Sequence, residues 1–402
     1  MKRIFFTVFT MATVIGVAKA QVDLVKKTSE TAGDGTHGFH FTNIIDLSVT
    51  PIQNQGASGT CWSYSTNSFL ESEMIKAGKT PMHLSPIYTA RCQYTDKADR
   101  YVRFAQGGEN GMGWGDGGEP HDVINMYAKY GTIPEDNYTG LINGRKINYF
   151  DPMQKVLKHI IDSVSKAPAP IDPAAWKAEF QKVLDDSLGT VPQTFTYNGK
   201  TYTPETFAKE VVGLDPDNYE EFISETTHPY YQKALMECSD DWAFQWDYNI
   251  TPTDITDVID NALKHGYTVA WGADVSEPYF NWMPFGVAFV PANAEALEGK
   301  KLTRDEKSAI FNGSREELTI TPEIRQKGLD NLTTTDDHGM HIVGLAKDQD
   351  GKEFYIVKNS WGTVNEYKGF LYVSKAYVQY KTTSILVNKK AIPKSLKKKM
   401  HI

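Results

Sequence analysis

The segment Gln53-Asn-Gln-Gly-Ala-Ser-Gly-Thr-Cys61-Trp-Ser-Tyr-Ser65 constrains this chain more than any other. It sets a cysteine behind a Gly-rich turn, at the expected first turn of a helix. Unpaired N–H groups and a partial positive charge at a helix start favour the thiolate, the nucleophilic form of cysteine. Gln55, just upstream, supplies an amide donor suited to a developing oxyanion. A thiol in this position needs a base, and one candidate, His338, lies 277 positions further on, with His341 three residues beyond it. Both sit in Asp337-His338-Gly339-Met340-His341, and an orienting amide follows in Val357-Lys358-Asn359-Ser360-Trp361-Gly362. A fold that uses these groups together must close a very long loop.

The rest of the composition is compatible with such a fold. With 402 residues, 40% apolar and 23% charged, the chain reads as a soluble globular protein of two or three domains or one elaborate one. Met1-Lys2-Arg3, an apolar run from Ile4 to Val17 and Ala18-Lys19-Ala20 form a secretory signal pattern, so the mature chain is expected to begin at Gln21. The apolar run is short for a membrane span, and no stable membrane insertion is expected. Loss of Lys2, Arg3 and Lys19 moves the net charge from −8 to −11, which disfavours nucleic acid as a partner. Export points to a periplasmic or extracellular location and permits disulfides. If Cys61 is the nucleophile, Cys92 and Cys238 remain, either as a pair or as two buried free thiols.

Periodicity divides the chain. A helix is expected from Ser58 or Thr60 to Ala77, stopped by Gly78, and a second from Glu119 to Gly131. Val156, Leu157, Ile160, Ile161 and Val164 form an apolar stripe, and Asp172-Pro173 opens a helix that ends at Gly189. Thr203-Pro204 opens another, closed by Gly213, after a tight turn at Asn198-Gly199. A further helix is expected from Asp254 to Leu263. Beyond Gly266 the period changes, and Tyr267–Trp271, His341–Ala346, Glu353–Lys358 and Gly369–Val373 read as strands. Asp348-Gln349-Asp350-Gly351 reads as a turn, because the distal Glu of a calcium loop is missing. His338 and His341, three apart on a strand, should face opposite ways, and no third ligand cluster joins them, so no metal is assigned.

The order Gln55, Cys61, His338, Asn359, with Asn359-Ser360-Trp361-Gly362, resembles the papain family of cysteine peptidases. The spacing between nucleophile and base is about 130–150 residues in papain and the cathepsins. The surplus here, with no large pro-domain, resembles the bleomycin hydrolase and aminopeptidase C branch. Tyr94–Tyr101, Tyr202–Phe207 with Val212–Asp215, Ala270–Val275 and Ile385–Lys390 are similar to that branch too, and Ser58 stands where many cathepsins have a disulfide cysteine.

The resemblance implies an α+β, papain-like fold: a helical left subdomain, an antiparallel β-barrel right subdomain, and an inserted helical subdomain. The expected division is 1–20 signal peptide, 21–140 helical subdomain with the nucleophile, 141–250 insertion, 251–393 β-rich subdomain with the His and Asn, and 394–402 basic tail. It implies a Cys61–His338–Asn359 triad working through an acyl-enzyme thioester. Gln55 and the Cys61 N–H would form the oxyanion hole, Trp361 would cover the His–Asn bond, and Gly117-Gly118 would pair with the substrate backbone. No cofactor is implied, the partners are peptide substrates, and related enzymes form homo-oligomeric hexamers. In that branch a C-terminal carboxylate in the cleft holds the substrate's α-amino group. Here the end of the chain reads short and Lys-rich, with the tail either entering the cleft by its terminal carboxylate or lying solvated and frayed. Aminopeptidase is the leading expectation. An endopeptidase with an open cleft and a catalytically inactive binding scaffold are the alternatives.

Overall fold

The computed structural model describes residues 17–29, 37–108, 112–168, 170–238 and 240–402. Most of the expected signal segment, residues 1–16, lies outside the described residues; its end is the first turn of helix α1, Val17–Lys27. Among the described residues no helix is long and apolar enough to cross a membrane.

The helix that starts at the cysteine forms as expected: α2 runs Cys61–Lys76, with Gly78 at positive φ just beyond it. The longest helix carried no expectation. It is α3, Pro86–Gln106, capped by Ser85, whose hydroxyl accepts the Tyr88 N–H at 3.0 Å. Its inward face hides its periodicity, because Arg91, Gln93 and Lys97 are buried beside Ile87, Tyr94 and Ala98. Each buried polar chain finds a partner: Arg91 bonds the Gly189 carbonyl at 2.9 Å and Asp185 at 2.5 Å, and Lys97 bonds the Gly117 carbonyl at 3.0 Å. α4, Pro120–Tyr130, begins with a reciprocal capping box between Glu119 and Asp122. α5, Asp151–Ser165, and α6, Pro173–Leu188, match the two apolar stripes, except that Val156 points outward at 47% exposure.

An eleven-stranded sheet dominates the second half. Its central strand, His338–Lys347, pairs antiparallel with Val269–Ala273 on one side and Glu353–Lys358 on the other, and Thr42–Asp46 adds to it. The sheet is antiparallel apart from two short parallel pairs, Tyr219–Ile223 with Trp246–Asn249 and Phe370–Ser374 with Val287–Ala288. The stretch 141–250 is not helical throughout: from Tyr219 on it supplies strands that join this sheet through Thr382–Asn388. Acidic residues in Tyr219-Glu-Glu-Phe-Ile223 mask that strand in the sequence, although Glu221 is buried. The expected strand Tyr267–Trp271 is displaced to Val269–Ala273.

Two apolar cores meet across this sheet. Ala270 and Leu386 belong to the helical core with Trp62, Phe69 and Leu70. Their neighbours Trp271 and Ile385 belong to the β-side core with Met340 and Trp282, as alternation along a strand requires. The tail is neither frayed nor in a cleft. Lys394–Met400 is a helix with Leu396 and Met400 buried in the β-side core, and Lys399 bonds Asp254 and the Tyr231 hydroxyl, each at 3.1 Å.

Helix and sheet approach closely at Gly339. A Cβ there would stand 3.0 Å from the Trp62 backbone nitrogen and 2.9 Å from the Ser65 hydroxyl. Gly339→Ala should therefore cost about 1–3 kcal/mol of stability, the usual penalty for overpacking. Urea unfolding of the variant against the parent measures it.

Candidate active site

The turn before Cys61 is held from three directions. Ser58 donates to the Gln55 carbonyl at 2.8 Å, and the Gly59 N–H donates to Asp116 Oδ2 at 3.0 Å. The Trp62 indole N–H donates to the Asp116 carbonyl at 2.9 Å. Asp116 is buried, and burial raises its pKa to about 6. The Gln55 N–H donates to the Ser360 carbonyl at 2.9 Å, tying this turn to the segment that carries Asn359.

On that facing segment, His338 donates from Nε2 to Asn359 Oδ1 at 2.7 Å. This leaves His338 Nδ1 buried without a partner, the acceptor nitrogen of that tautomer. The Trp361 ring lies over the imidazole with centroids 4.2 Å apart, and Trp282 meets Trp361 edge-on at 5.5 Å. His341 faces the other way, within 3.0 Å of the Ser68 hydroxyl on α2. Gln55 is fully buried, with Oε1 accepting from the Ser360 hydroxyl at 2.6 Å and Nε2 donating to the Ser58 carbonyl at 2.8 Å. Gln53 turns elsewhere, to Glu135 at 2.6 Å.

Cys61 and His338 line one cavity of about 250 Å³, together with Gly117 and Gly118. Gln55, Asn359 and Trp361 stand behind its wall and not on it. The two glycines are required by close packing: a Cβ on Gly117 would meet the Asp240 carboxylate at 1.8 Å, and one on Gly118 would meet Gln93 at 2.3 Å. Four acidic residues line the same cavity, Glu119, Asp240, Asp336 and Asp337, and the Asp337 carboxylate is already held by the Val275 and Ser276 N–H groups and the Thr335 hydroxyl. Sequence reasoning missed these acids, and only the Asp336-Asp337 pair beside His338 carried a local signal. Gln21 and Leu24 of α1 close one side, and α1 is anchored beyond them where the Thr28 carbonyl accepts the Trp282 N–H at 3.0 Å.

Burial decides the charge state of the pair. It pushes the Cys61 thiol up to about 12, against the lowering effect of a hydrogen bond from the Gly339 backbone. It pushes His338 down to about 4, against the raising effect of Asn359. The helix start was expected to favour the thiolate, but its partial charge is worth about 0.3–2 kcal/mol and desolvation outweighs it here. Burial thus opposes charge on both groups and favours the thiol and the neutral imidazole. All three cysteines are free, and Cys238 donates to Glu119 Oε1 at 3.2 Å. The Asp348 side chain accepts the N–H groups of Asp350 and Lys352, each at 2.9 Å, so that segment is a turn.

The lowered His338 makes folding stability depend on pH with a definite sign. The folded state resists protonation while the unfolded histidine takes a proton near 6.5. Its contribution is present above about pH 6.5 and is lost as the pH falls toward 4, about 3 kcal/mol in all. His338→Gln should flatten the fall in urea-unfolding free energy between these values, compared with the parent protein.

Known proteins are similar to this chain over most of its length. The papain family cysteine protease model matches residues 42–167, and the peptidase C1-like family model matches residues 316–402. Aminopeptidase C of Lactobacillus delbrueckii subsp. lactis is 23% identical, covering 88% of this chain and 83% of that protein. Aminopeptidase C of Lactococcus lactis subsp. cremoris is 25% identical over 92% and 89%. Bleomycin hydrolase of Rattus norvegicus is 22% identical over 96% and 90%. The crystal structure of PepW from Lactobacillus rhamnosis HN001 shares the fold, with a TM-score of 0.66 at 21% identity over 90% of this chain and 84% of that one. The chain thus belongs to the papain-like cysteine peptidases, in their aminopeptidase C and bleomycin hydrolase branch.

Proposed function

We propose that this peptidase is an aminopeptidase acting through Cys61, His338 and Asn359. The observation that carries the reading is the ring of Glu119, Asp240, Asp336 and Asp337 in the cavity of Cys61 and His338. A free α-ammonium group is the part of a peptide that such a wall attracts, and a blocked N-terminus brings it no cation. Asp336 is raised to about 7, by burial first and then by Asp240 and Asp337, so a cation entering there relieves crowded like charges. The Lys394–Met400 helix packs on the β-side core, and none of its residues lines this cavity. Relatives named aminopeptidase C and aminopeptidase W point the same way.

In the proposed mechanism Cys61 Sγ attacks the scissile carbonyl carbon while its proton passes to His338 Nδ1. The carbonyl oxygen becomes an oxyanion, held by the Cys61 N–H and by the second amide hydrogen of Gln55, whose first is bonded to the Ser58 carbonyl and which must turn toward the cavity to reach it. Asn359 accepts from Nε2 and so fixes the tautomer that leaves Nδ1 free to take the proton. Collapse breaks the C–N bond, and the amine leaves with the proton from Nδ1. The residue left on sulfur is a thioester. Water attacks it with His338 as base, releasing the amino acid and restoring the thiol.

Residues 1–20 are read as an export signal. Removal after Ala20 cuts within α1 and leaves Gln21 at the head of the chain, beside the cavity. Mass analysis of protein exported from expressing cells should give an N-terminus at Gln21; retention of Met1 in that fraction overturns it.

The activity test compares an amino-acid amide carrying a free amine with the same residue N-terminally blocked, under thiol reductant. The free amine should be cleaved and the blocked substrate spared, with Cys61→Ala inactive on both. Asp240→Asn and Asp336→Asn should raise KM for the free amine about tenfold, the loss of one partly screened charge contact. Equal cleavage of the blocked substrate would identify an endopeptidase, and no Cys61-dependent cleavage of either would leave a binding scaffold.

A further inference from the structure

A second cavity, of about 530 Å³, lies beside the one that holds Cys61 and His338. Three segments run from one into the other. On the strand Val269–Ala273, Gly272 lines the catalytic cavity, and Asp274 and Ser276, just past the strand, line the second. Thr335 lines the second cavity, and Asp337 and His338, two and three residues on, line the first. On α1, Gln21 and Leu24 meet the first cavity, and Lys27, with Thr28 just past the helix, meets the second. Two residues of strand cover about 6.6 Å, and three or four residues of helix cover about 5–6 Å. The two cavities are thus neighbours on the scale of two or three residues of an extended peptide.

The second cavity is lined by amines that its own acids do not neutralise. Lys27, Lys300 and Lys301 are exposed along it, and among the described residues their side chains make no hydrogen bond or ion pair. Lys307 brings a fourth amine. The acids of the lining, Asp274 and Glu277, are engaged inward. Glu277 Oε1 accepts from Lys381 Nζ at 2.7 Å, and Lys381 is fully buried. Asp274 accepts the Ser276 N–H at 2.8 Å and the Thr335 N–H at 3.2 Å. Burial, then the neighbouring Asp337 charge, holds Asp274 well above the usual carboxylate range, so it adds little negative charge. The field left in this cavity is positive. The catalytic cavity next to it has the opposite sign, set by Glu119, Asp240 and Asp336. Two neighbouring sites of opposite sign complement a peptide that carries an ammonium at one end and a carboxylate at the other.

We propose that Lys27, Lys300 and Lys301 bind a carboxylate on the leaving part of the substrate, its free C-terminus, so that the enzyme favours short peptides with both ends free. The assignment rests on the aminopeptidase reading, which sets the ammonium end among the acids and leaves only the departing part to extend toward the lysines. An extended chain advances about 3.3 Å per residue, so the terminal carboxylate of a tripeptide or tetrapeptide arrives at this distance from the cleaved bond. Lysine suits the task, because a point charge on a flexible stem follows chain ends of slightly different length, where a planar guanidinium demands one geometry. Exposed ammonium groups are screened by water and salt, so the contact acts on binding of the substrate and not on the reacting atoms.

The test compares trialanine and tetraalanine with their C-terminal amides, all with a free amine, on the full-length protein at low ionic strength. KM for the acids should lie about tenfold below KM for the amides, and high salt should shrink the difference. Calorimetry on the Cys61→Ala variant should give the same ratio in Kd without turnover. The double variant Lys300→Met with Lys301→Met should lose the advantage of the acids; both side chains are exposed, and circular dichroism checks that the variant folds. The amide of Ala-Ala-Glu separates the two sources of a carboxylate. Binding as tight as that of trialanine extends the same site to an acidic side chain, and binding like that of the other amides confines it to the chain terminus. Acids and amides bound and cleaved alike overturn the proposal, as does a preference that the double variant retains. Equal cleavage of N-terminally blocked peptides would end the aminopeptidase reading instead, and it leaves the ratio of acid to amide readable, so the two failures are told apart.

Discussion

The approach of α2 to the strand His338–Lys347 is the contact on which the rest depends. It joins the helical and β-side cores, and it brings residues 277 positions apart to one cavity. The entropy of closing such a loop grows only with the logarithm of its length, so doubling the loop adds about 0.6 kcal/mol. An extended insertion between cysteine and histidine is thus inexpensive, provided that the two ends still pack. Gly339 is where that condition is tightest, because helix backbone occupies the place of its side chain.

Much of this arrangement was legible in the sequence, for local reasons. Gln55, Cys61, His338 and Asn359 each sit in a short pattern whose chemistry is recognisable alone, and the structure sets Cys61 and His338 on one cavity with Asn359 behind it. The helices opened by Asp172-Pro173 and Thr203-Pro204 and closed by Gly189 and Gly213 announced themselves, whereas the same signals at Ser85-Pro86 and Gly107 around α3 went unread. The features that stayed hidden share one cause, polar side chains buried by partners that are distant in sequence. α3 lost its apolar stripe to Arg91, Gln93 and Lys97, and the strand Tyr219–Ile223 is interrupted by Glu220 and Glu221. Glu119, Asp240 and Asp336 look ordinary one at a time, and only the fold makes a wall of them. The tail misled through composition. Its lysines suggested a solvated end, while Leu396 and Met400, four apart on one helical face, anchor it.

Burial, more than any single charge, sets the electrostatics of the molecule. It overrides the helix start at Cys61, and it raises Asp116 beneath the turn that precedes it. Burial that opposes charge on both groups does not preclude thiol chemistry. In the proposed reaction the proton would move as the developing oxyanion finds its donors, so that charge would be created only where it is stabilised. In the proposed reading the same low-polarity surroundings would make the acids of the cavity wall selective for a cationic ligand.

The aromatic stack over His338 extends further than the imidazole. Trp361 covers the ring, Trp282 abuts Trp361, and the Trp282 backbone N–H is held by Thr28 at the end of α1. The N-terminal helix and the histidine are thus the two ends of one chain of contacts through a pair of indoles. Indole emission depends on packing and on nearby imidazole charge, so this pair gives the protein a built-in optical gauge of whether α1 is seated.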